Sequence, residues 1–209
     1  MFTKTLSSTA KSALALLGKS RVLNKAYLAG GSALALHLGH RYSLDLDFFS
    51  QQKFDAPKVA SNLEKIGKFQ KEEVLSDTIL GKFNTIKFSL FHYDYPIIAK
   101  LHDFLGIKIA DPKDIAAMKA VAIMDRGKKR DFVDLYFLIR AGLTVEKIFK
   151  LYDKKYHLLE VNLFSLIKGL QYFIDAEDTE MPKMIKKVSW SKIKRFFEKE
   201  AVRLGKKYL

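Results

Sequence analysis

The chain reads as an α+β protein, a mixed sheet with flanking helices in its first half and a helical bundle in its second. Three observations carry that reading. Alternating apolar–polar runs such as Thr85-Ile-Lys-Phe-Ser-Leu90 occur before residue 110. After Asp111-Pro112 the apolar residues recur at helical spacing almost without a break. Prolines and glycines punctuate the first half at short intervals and mark many brief elements. Two domains are expected, residues 1–110 and 111–209.

The elements follow in order. Apolar residues at helical spacing predict a short helix over about residues 8–18. Ala26-Tyr-Leu-Ala29 reads as a buried strand that ends at Gly30-Gly31. Ser32 is expected to cap a helix running to Leu38, which Gly39 terminates. Arg41-Tyr-Ser-Leu-Asp-Leu-Asp-Phe-Phe49 leads into a second strand, and Pro57 opens a helix to about Ile66. A strand pair is expected over 69–75 and 83–93. Five helices should follow, near 112–126, 130–141, 144–153, 158–174 and 189–205, with an exposed acidic loop over Asp175–Glu180.

Composition excludes several classes. A hydrophobic share of 48% in 209 residues is enough for a packed core, so the chain is not a disordered one. The absence of cysteine removes disulfides, thiolate zinc sites and thiol nucleophiles. No apolar run approaches the roughly 20 residues that span a bilayer. Ser12–Leu17 is apolar, but Lys11 and Lys19 flank it and no cleavage site follows, so it reads as an amphipathic helix and not a signal peptide. A soluble cytoplasmic protein with no membrane partner is expected.

The net charge of +14 is unevenly spread. Residues 1–110 hold 15 basic and 9 acidic side chains, residues 111–182 hold 12 of each, and residues 183–209 hold 10 basic and 2 acidic. A cationic tail of that density fits a polyanionic partner, nucleic acid before membrane, or a solvated helix that serves solubility. Within it, Trp190, Ile193, Phe197 and Leu204 form an apolar stripe; Lys192, Arg195, Lys199 and Arg203 form a basic one. The five histidines show no metal-ligand spacing and receive no role.

The residues that can carry chemistry lie elsewhere. Side chains at i and i+2 leave a strand on one face, so Asp45 and Asp47 point together. Two carboxylates held so close repel unless a cation joins them, and a hard divalent ion such as Mg²⁺ suits the pair. The Gly30-Gly31-Ser32 turn precedes them by about fifteen residues. Glycines at a helix start let backbone amides approach an anion such as phosphate. On the helix from Pro112, Lys119 and Arg126 share a face with Ile115, Ala122 and Ile123, so these cations need a partner: either they snorkel at the core edge or they reach a triphosphate in a cleft between the two regions. Asp131 and Asp134, at i and i+3, are neighbours on the next helix.

Together these residues resemble a known family. Leu28-Ala-Gly-Gly-Ser-Ala-Leu-Ala-Leu-His-Leu-Gly-His-Arg-Tyr-Ser-Leu-Asp-Leu-Asp-Phe-Phe49 resembles the first motif of the AbiEii/AbiGii toxin family of nucleotidyltransferases, within the DNA polymerase β-like superfamily. Lys119 with Arg126 resembles its lysine-bearing motif, and Arg130-Asp-Phe-Val-Asp-Leu135 its Arg-Asp-x-x-Asp-Leu motif. The match covers about residues 27–140. The resemblance implies a nucleotidyltransferase-fold sheet and an NTP substrate. It also implies an acceptor hydroxyl on RNA such as tRNA, membership of a toxin–antitoxin pair with a cognate antitoxin, and a two-metal Mg²⁺ site. In that scheme Asp45 and Asp47 hold metal, and Gly30, Gly31 and Ser32 surround the phosphates. Lys119 and Arg126 neutralise them. Arg41 contacts phosphate or braces the aspartate strand, Asp131 or Asp134 orients Lys119 or assists the acceptor, and the tail's basic stripe tracks RNA. One position departs from the superfamily. The slot for a third carboxylate, on a later strand, falls near Ser89, with Asp94 close by in sequence. That departure leaves a second expectation open, a catalytically weakened module that binds nucleotide or RNA.

Overall fold

The computed structural model describes residues 1–208. The chain divides into two compact units, Met1–Asp111 and the portion from Pro112 onward.

The first unit is built on a seven-stranded mixed sheet in the order β3-β4-β5-β2-β1-β7-β6. Its strands are β1 (Tyr27–Leu28), β2 (Leu46–Ser50), β3 (Phe69–Val74), β4 (Thr78–Phe83), β5 (Ile86–His92), β6 (His102–Phe104) and β7 (Ile107–Ile109). The β2–β5 and β1–β7 pairs are parallel and the rest antiparallel. Helices α1 (Ser8–Ser20), α2 (Gly30–Leu38) and α3 (Ala56–Ile66) accompany it, with α1 packed on β5 and β7 and α3 on β3 and β4. Alternation along β2 decides the faces. Leu46 and Phe48 are fully buried, with Phe48 against Phe88 at 5.5 Å between ring centroids, while Asp47 and Phe49 are half-buried.

Helix ends follow local chemistry. Ser7 accepts from the Ala10 amide to start α1, and Asp55 accepts from Lys58 to start α3, with Pro57 just inside it. Gly39 closes α2 in the left-handed conformation. Ser32 does not cap that helix. Ala29 holds the N-cap position without a side-chain bond, and Ser32 lies inside the first turn.

The expected strand pair is a three-stranded meander, because the stretch after Val74 forms a strand of its own, β4. A second hairpin, β6–β7, occupies a stretch for which no element was expected. Leu105 and Gly106 (φ 51° and 79°) form its two-residue turn, the geometry that matches strand twist.

The second unit is helical, with α4 (Pro112–Asp125), α5 (Lys129–Arg140), α6 (Val145–Tyr156), α7 (Leu159–Gly169), the single-turn α8 (Ile174–Glu177) and α9 (Trp190–Tyr208). Helix α4 packs on α5, α6 and α7, and α9 on α5 and α7. Phe132 joins these layers, with ring centroids 5.0 Å from Phe173, 5.8 Å from Trp190 and 5.5 Å from Phe197. The helix expected over 158–174 stops at Gly169, and the acidic segment, exposed as expected, is partly helical and tied to other elements. Glu177 accepts from the Trp190 indole and from Lys194, and the Thr179 hydroxyl accepts the Lys129 amide at 3.0 Å. Helix α5 has no side-chain cap from its own N-cap residue, so Thr179 supplies one from a distant part of the chain.

Candidate functional site

The first cluster forms where β1 ends and β2 begins. The Ala29 amide donates to the Asp47 carbonyl at 2.9 Å, which brings the glycine turn beside the aspartates. Gly30 has φ +64°, a conformation that favours glycine, and a Cβ there would lie 3.1 Å from Asp47 Oδ2. A Cβ on Gly31 would lie 2.3 Å from Arg41 Nη2, so the guanidinium packs directly on the turn. Arg41 is 4% exposed and donates through Nη1 to the Tyr42 carbonyl at 3.0 Å. The Ser32 hydroxyl is buried and donates to the Asp45 carbonyl. Ser32 therefore ties the helix start to the aspartate segment, and its hydroxyl is engaged there.

Asp47 stands on β2 and Asp45 one residue before it; both are half-buried. Asp47 is in register with Ser89 on β5. Ser89 is 4% exposed and its hydroxyl donates to Asp47 Oδ1 at 2.5 Å. The slot where a third carboxylate was sought thus holds a donor onto one of the two acids. Among the described residues no group of three or more His, Cys, Asp or Glu gathers as a metal cage. The donor set still fits a hard ion: two neighbouring carboxylates, one of which keeps Oδ2 beside the glycine turn. Mg²⁺ commonly takes only one or two carboxylates and fills its shell with phosphate oxygens and water.

The second cluster lies within the helical unit. Lys119, 5% exposed, reaches Asp131 Oδ1 at 2.8 Å and Asp134 Oδ2 at 2.6 Å. Arg126, half-exposed, adds bonds to Asp131 Oδ2 at 3.1 Å and Oδ1 at 3.2 Å. Both carboxylates are fully buried. Burial pushes the Asp131 carboxyl upward, but the Lys119 charge and the Arg126 bonds outweigh it and hold the group below its ordinary range. The sequence left open whether Asp131 or Asp134 meets Lys119; its ammonium pairs with both.

The tail's basic stripe is exposed, but its members differ. Lys192, Arg195 and Lys199 face solvent. Arg203 is clamped by Glu146, with Nη1–Oε1 at 2.6 Å and Nη2–Oε2 at 3.0 Å, and by Glu200. Trp190 leaves the apolar stripe for the aromatic cluster, and Ala201 joins Ile193, Phe197 and Leu204 in the core.

One buried pair escaped the sequence reading. Lys155 Nζ donates to Asp114 Oδ1 at 2.9 Å, each residue 1% exposed. Lys155 follows Ile148, Leu151 and Tyr152 at helical spacing, a signal that placed it on the apolar stripe of α6.

Comparison with known proteins bears on family and fold. The family described as nucleotidyl transferase AbiEii toxin, Type IV TA system, matches residues 13–202. An uncharacterised protein of Aquifex aeolicus is 39% identical over 184 residues, 86% of this chain and 87% of its own length. JHP933 of Helicobacter pylori shares the fold at a TM-score of 0.58 and 18% identity, over 97% of this chain and 94% of that one. MenT4, a nucleotidyltransferase toxin of Mycobacterium tuberculosis, does so at 0.58 and 14%, over 94% and 85%. No helix among the described residues is long and apolar enough to cross a membrane. Family match, sheet and motif order converge, and the chain belongs to the AbiEii nucleotidyltransferase toxin family.

Proposed function

We propose that this protein transfers a nucleoside monophosphate from an NTP to a hydroxyl of an RNA acceptor such as tRNA, as the toxin of a pair whose antitoxin restrains it in the cytoplasm. The observation that carries the reading is the placement of Asp45 and Asp47 beside the Gly30–Gly31 start of α2. The unpaired amides and dipole of that helix end attract phosphate, and the adjacent carboxylates attract the cation that travels with it.

In this reading the acceptor oxygen attacks the α-phosphorus in line, and the bond to the bridging oxygen breaks. Pyrophosphate leaves, and the acceptor proton passes to water or to a carboxylate. Mg²⁺, when bound, supplies Lewis-acid stabilisation of the attacking and leaving oxygens. Asp45 and Asp47 would hold it, a second ion being the less well provided for because Ser89 stands where a third acid would. Gly30 and Gly31 would cradle the phosphates, with Arg41 setting the turn's shape. Lys119 and Arg126, held by Asp131 and Asp134, would supply charge neutralisation by motif match. Lys192, Arg195 and Lys199 would track RNA backbone.

The test is incubation of the purified protein with total tRNA, Mg²⁺ and each α-labelled NTP in turn, beside the Asp45→Ala/Asp47→Ala protein. Label on RNA that the double variant fails to add supports the reading and names the nucleotide. Absence of label with all four NTPs, while RNA binding persists, would favour a weakened binding module, for which Ser89 is the structural motive.

A further inference from the structure

The sheet order puts a different feature on each flank of the aspartate strand. β1, which ends in the Gly30–Gly31 turn, lies on one side of β2; β5 and then β4 lie on the other. On that second side Lys82 of β4 stands directly opposite Lys87 of β5. Both lie on the face of Ser89, two residues after Lys87, and so on the face of Asp47, which is in register with Ser89. Because Leu46 pairs with Phe88, Asp45 stands level with Lys87.

One further lysine adjoins this hairpin. Asn84 and Thr85 form its turn with φ 47° and 73°. The turn is tied to Lys68, whose amide donates to Asn84 Oδ1 at 2.9 Å and whose carbonyl accepts the Asn84 amide at 2.9 Å. All three lysines are exposed, and among the described residues none has an ion-pair partner. Like charges directly opposite on antiparallel strands repel, a cost that an incoming anion relieves. No short stretch of sequence shows this patch, because its members are spread over residues 68–87 and only the sheet gathers them.

We propose that the β4–β5 hairpin, through Lys82 and Lys87 with Lys68 beside them, is the landing surface for the sugar–phosphate backbone of the acceptor RNA. This rests on the nucleotidyl-transfer reading and adds a direction to it. In-line displacement sends pyrophosphate away on the side opposite the entering hydroxyl. The glycine turn takes the donor phosphates on the β1 side, so the acceptor enters from the β5–β4 side. With strands about 4.8 Å apart, β4 stands about 10 Å from β2, near enough for a strand on the lysines to present a terminal hydroxyl between the aspartates.

The test is the Lys82→Gln/Lys87→Gln protein, whose exposed substitutions leave the core untouched. It is compared with the parent for KM of tRNA, KM of the NTP, and affinity for a labelled single-stranded RNA across a salt series. The expected result is an RNA KM raised about tenfold at physiological salt, with the NTP KM within about twofold. The slope of log affinity against log salt should be shallower by about 1.4, the loss of two phosphate contacts on a single strand. A raised NTP KM with unchanged RNA KM would assign the lysines to the triphosphate and overturn the proposal, and so would no change in either. If the parent transfers nothing to any acceptor, the nucleotidyl-transfer reading fails, and the salt slope alone still decides whether these lysines carry RNA.

Discussion

The protein holds two pairs of aspartates in opposite states. Asp45 and Asp47 are half-buried beside a glycine turn, and among the described residues no third acid, histidine or cysteine joins them as a cage. Asp131 and Asp134 are fully buried and already share the Lys119 ammonium, with Arg126 on Asp131. In the proposed function the first pair takes a cation from outside; the second is built around a cation supplied by the chain. The lesson is that carboxylate pairs are told apart by burial and by what they hold, not by their spacing. A half-buried pair at a glycine turn can be altered at little cost to the fold; a compensated, buried pair cannot be opened without destabilising it.

The largest expected effects test that contrast in both directions. Asp45→Asn/Asp47→Asn should lower nucleotidyl transfer by about a thousandfold or more, as loss of metal-centred stabilisation does. Its melting temperature should change little, since both acids are only half-buried and asparagine keeps an oxygen that accepts hydrogen bonds. Lys119→Met should behave in the reverse sense. Removing one partner of a buried ion pair costs about 3–5 kcal/mol, a fall of about 10 °C or more in the melting of the whole chain. Thermal unfolding of both variants decides the matter: a destabilised Asn variant or an unchanged Met variant would erase the distinction.

Acid sharpens it. The folded-state carboxyl of Asp131 is held below its ordinary value of 3.8. Its contribution to stability is therefore fully present above 3.8 and is lost as pH falls through the depressed folded value. In Lys119→Met, burial faces weaker opposition and the carboxyl rises, so acidification relieves the variant. The stability gap between the two proteins should narrow steadily below about pH 5 in denaturant titrations. A gap constant with pH would mean that Lys119 acts by packing alone.

Much of this organisation was legible beforehand. Period-two and period-3.6 patterns expose most strands and helices, and Asp45, Asp47, Lys119, Asp131 and Asp134 lie in runs short enough to read directly. The misses share a cause, which is that the deciding partner is remote. β4 was hidden by Gly81 in its middle, and its pairing comes from both neighbours. β7 is three residues long and exists because β1 lies parallel beside it. Ser32 read as a cap because its spacing suits one, yet its hydroxyl finds the Asp45 carbonyl across the turn. Ser89 was legible as the residue in the third-acid slot, but its bond to Asp47 appears only once the β2–β5 register sets the two side by side.

That serine gives a prediction of intermediate size. With Asp47 Oδ1 taken by the hydroxyl, Oδ2 is left on the side of Gly30. Ser89→Ala frees the carboxylate to rotate and should weaken binding of a metal–nucleotide complex by about tenfold, the lower end of what a bond to a charged group contributes. Ser89→Thr, which keeps the hydroxyl, should restore most of it. Calorimetric titration with Mn²⁺ and a non-hydrolysable NTP reads both, and equal affinity across the three proteins would make the bond incidental. Ser89→Asp should let Mn²⁺ bind without nucleotide, since a third carboxylate completes a cage.

The smallest expected effect concerns the tail, where the same contrast recurs at the surface. Lys199 is exposed, whereas Arg203 is forked by Glu146 and Glu200. The Arg203 bonds hold the Glu146 carboxyl down to about 2, so the pair persists as pH falls below the ordinary value of 4.5 and is lost only near about 2. A pair this exposed contributes at most about 1 kcal/mol, so Arg203→Gln should shift melting by only a few degrees. Its more telling readout is RNA affinity. Lys199→Gln should make the salt slope shallower by about 0.7, one phosphate contact, while Arg203→Gln should leave it nearly unchanged because that charge is already answered within the protein. Equal losses from both would mean that RNA displaces the glutamates and that the clamp on Arg203 is a resting contact. The tail would then be a surface whose ion pairs RNA can exchange, unlike the buried cluster around Lys119.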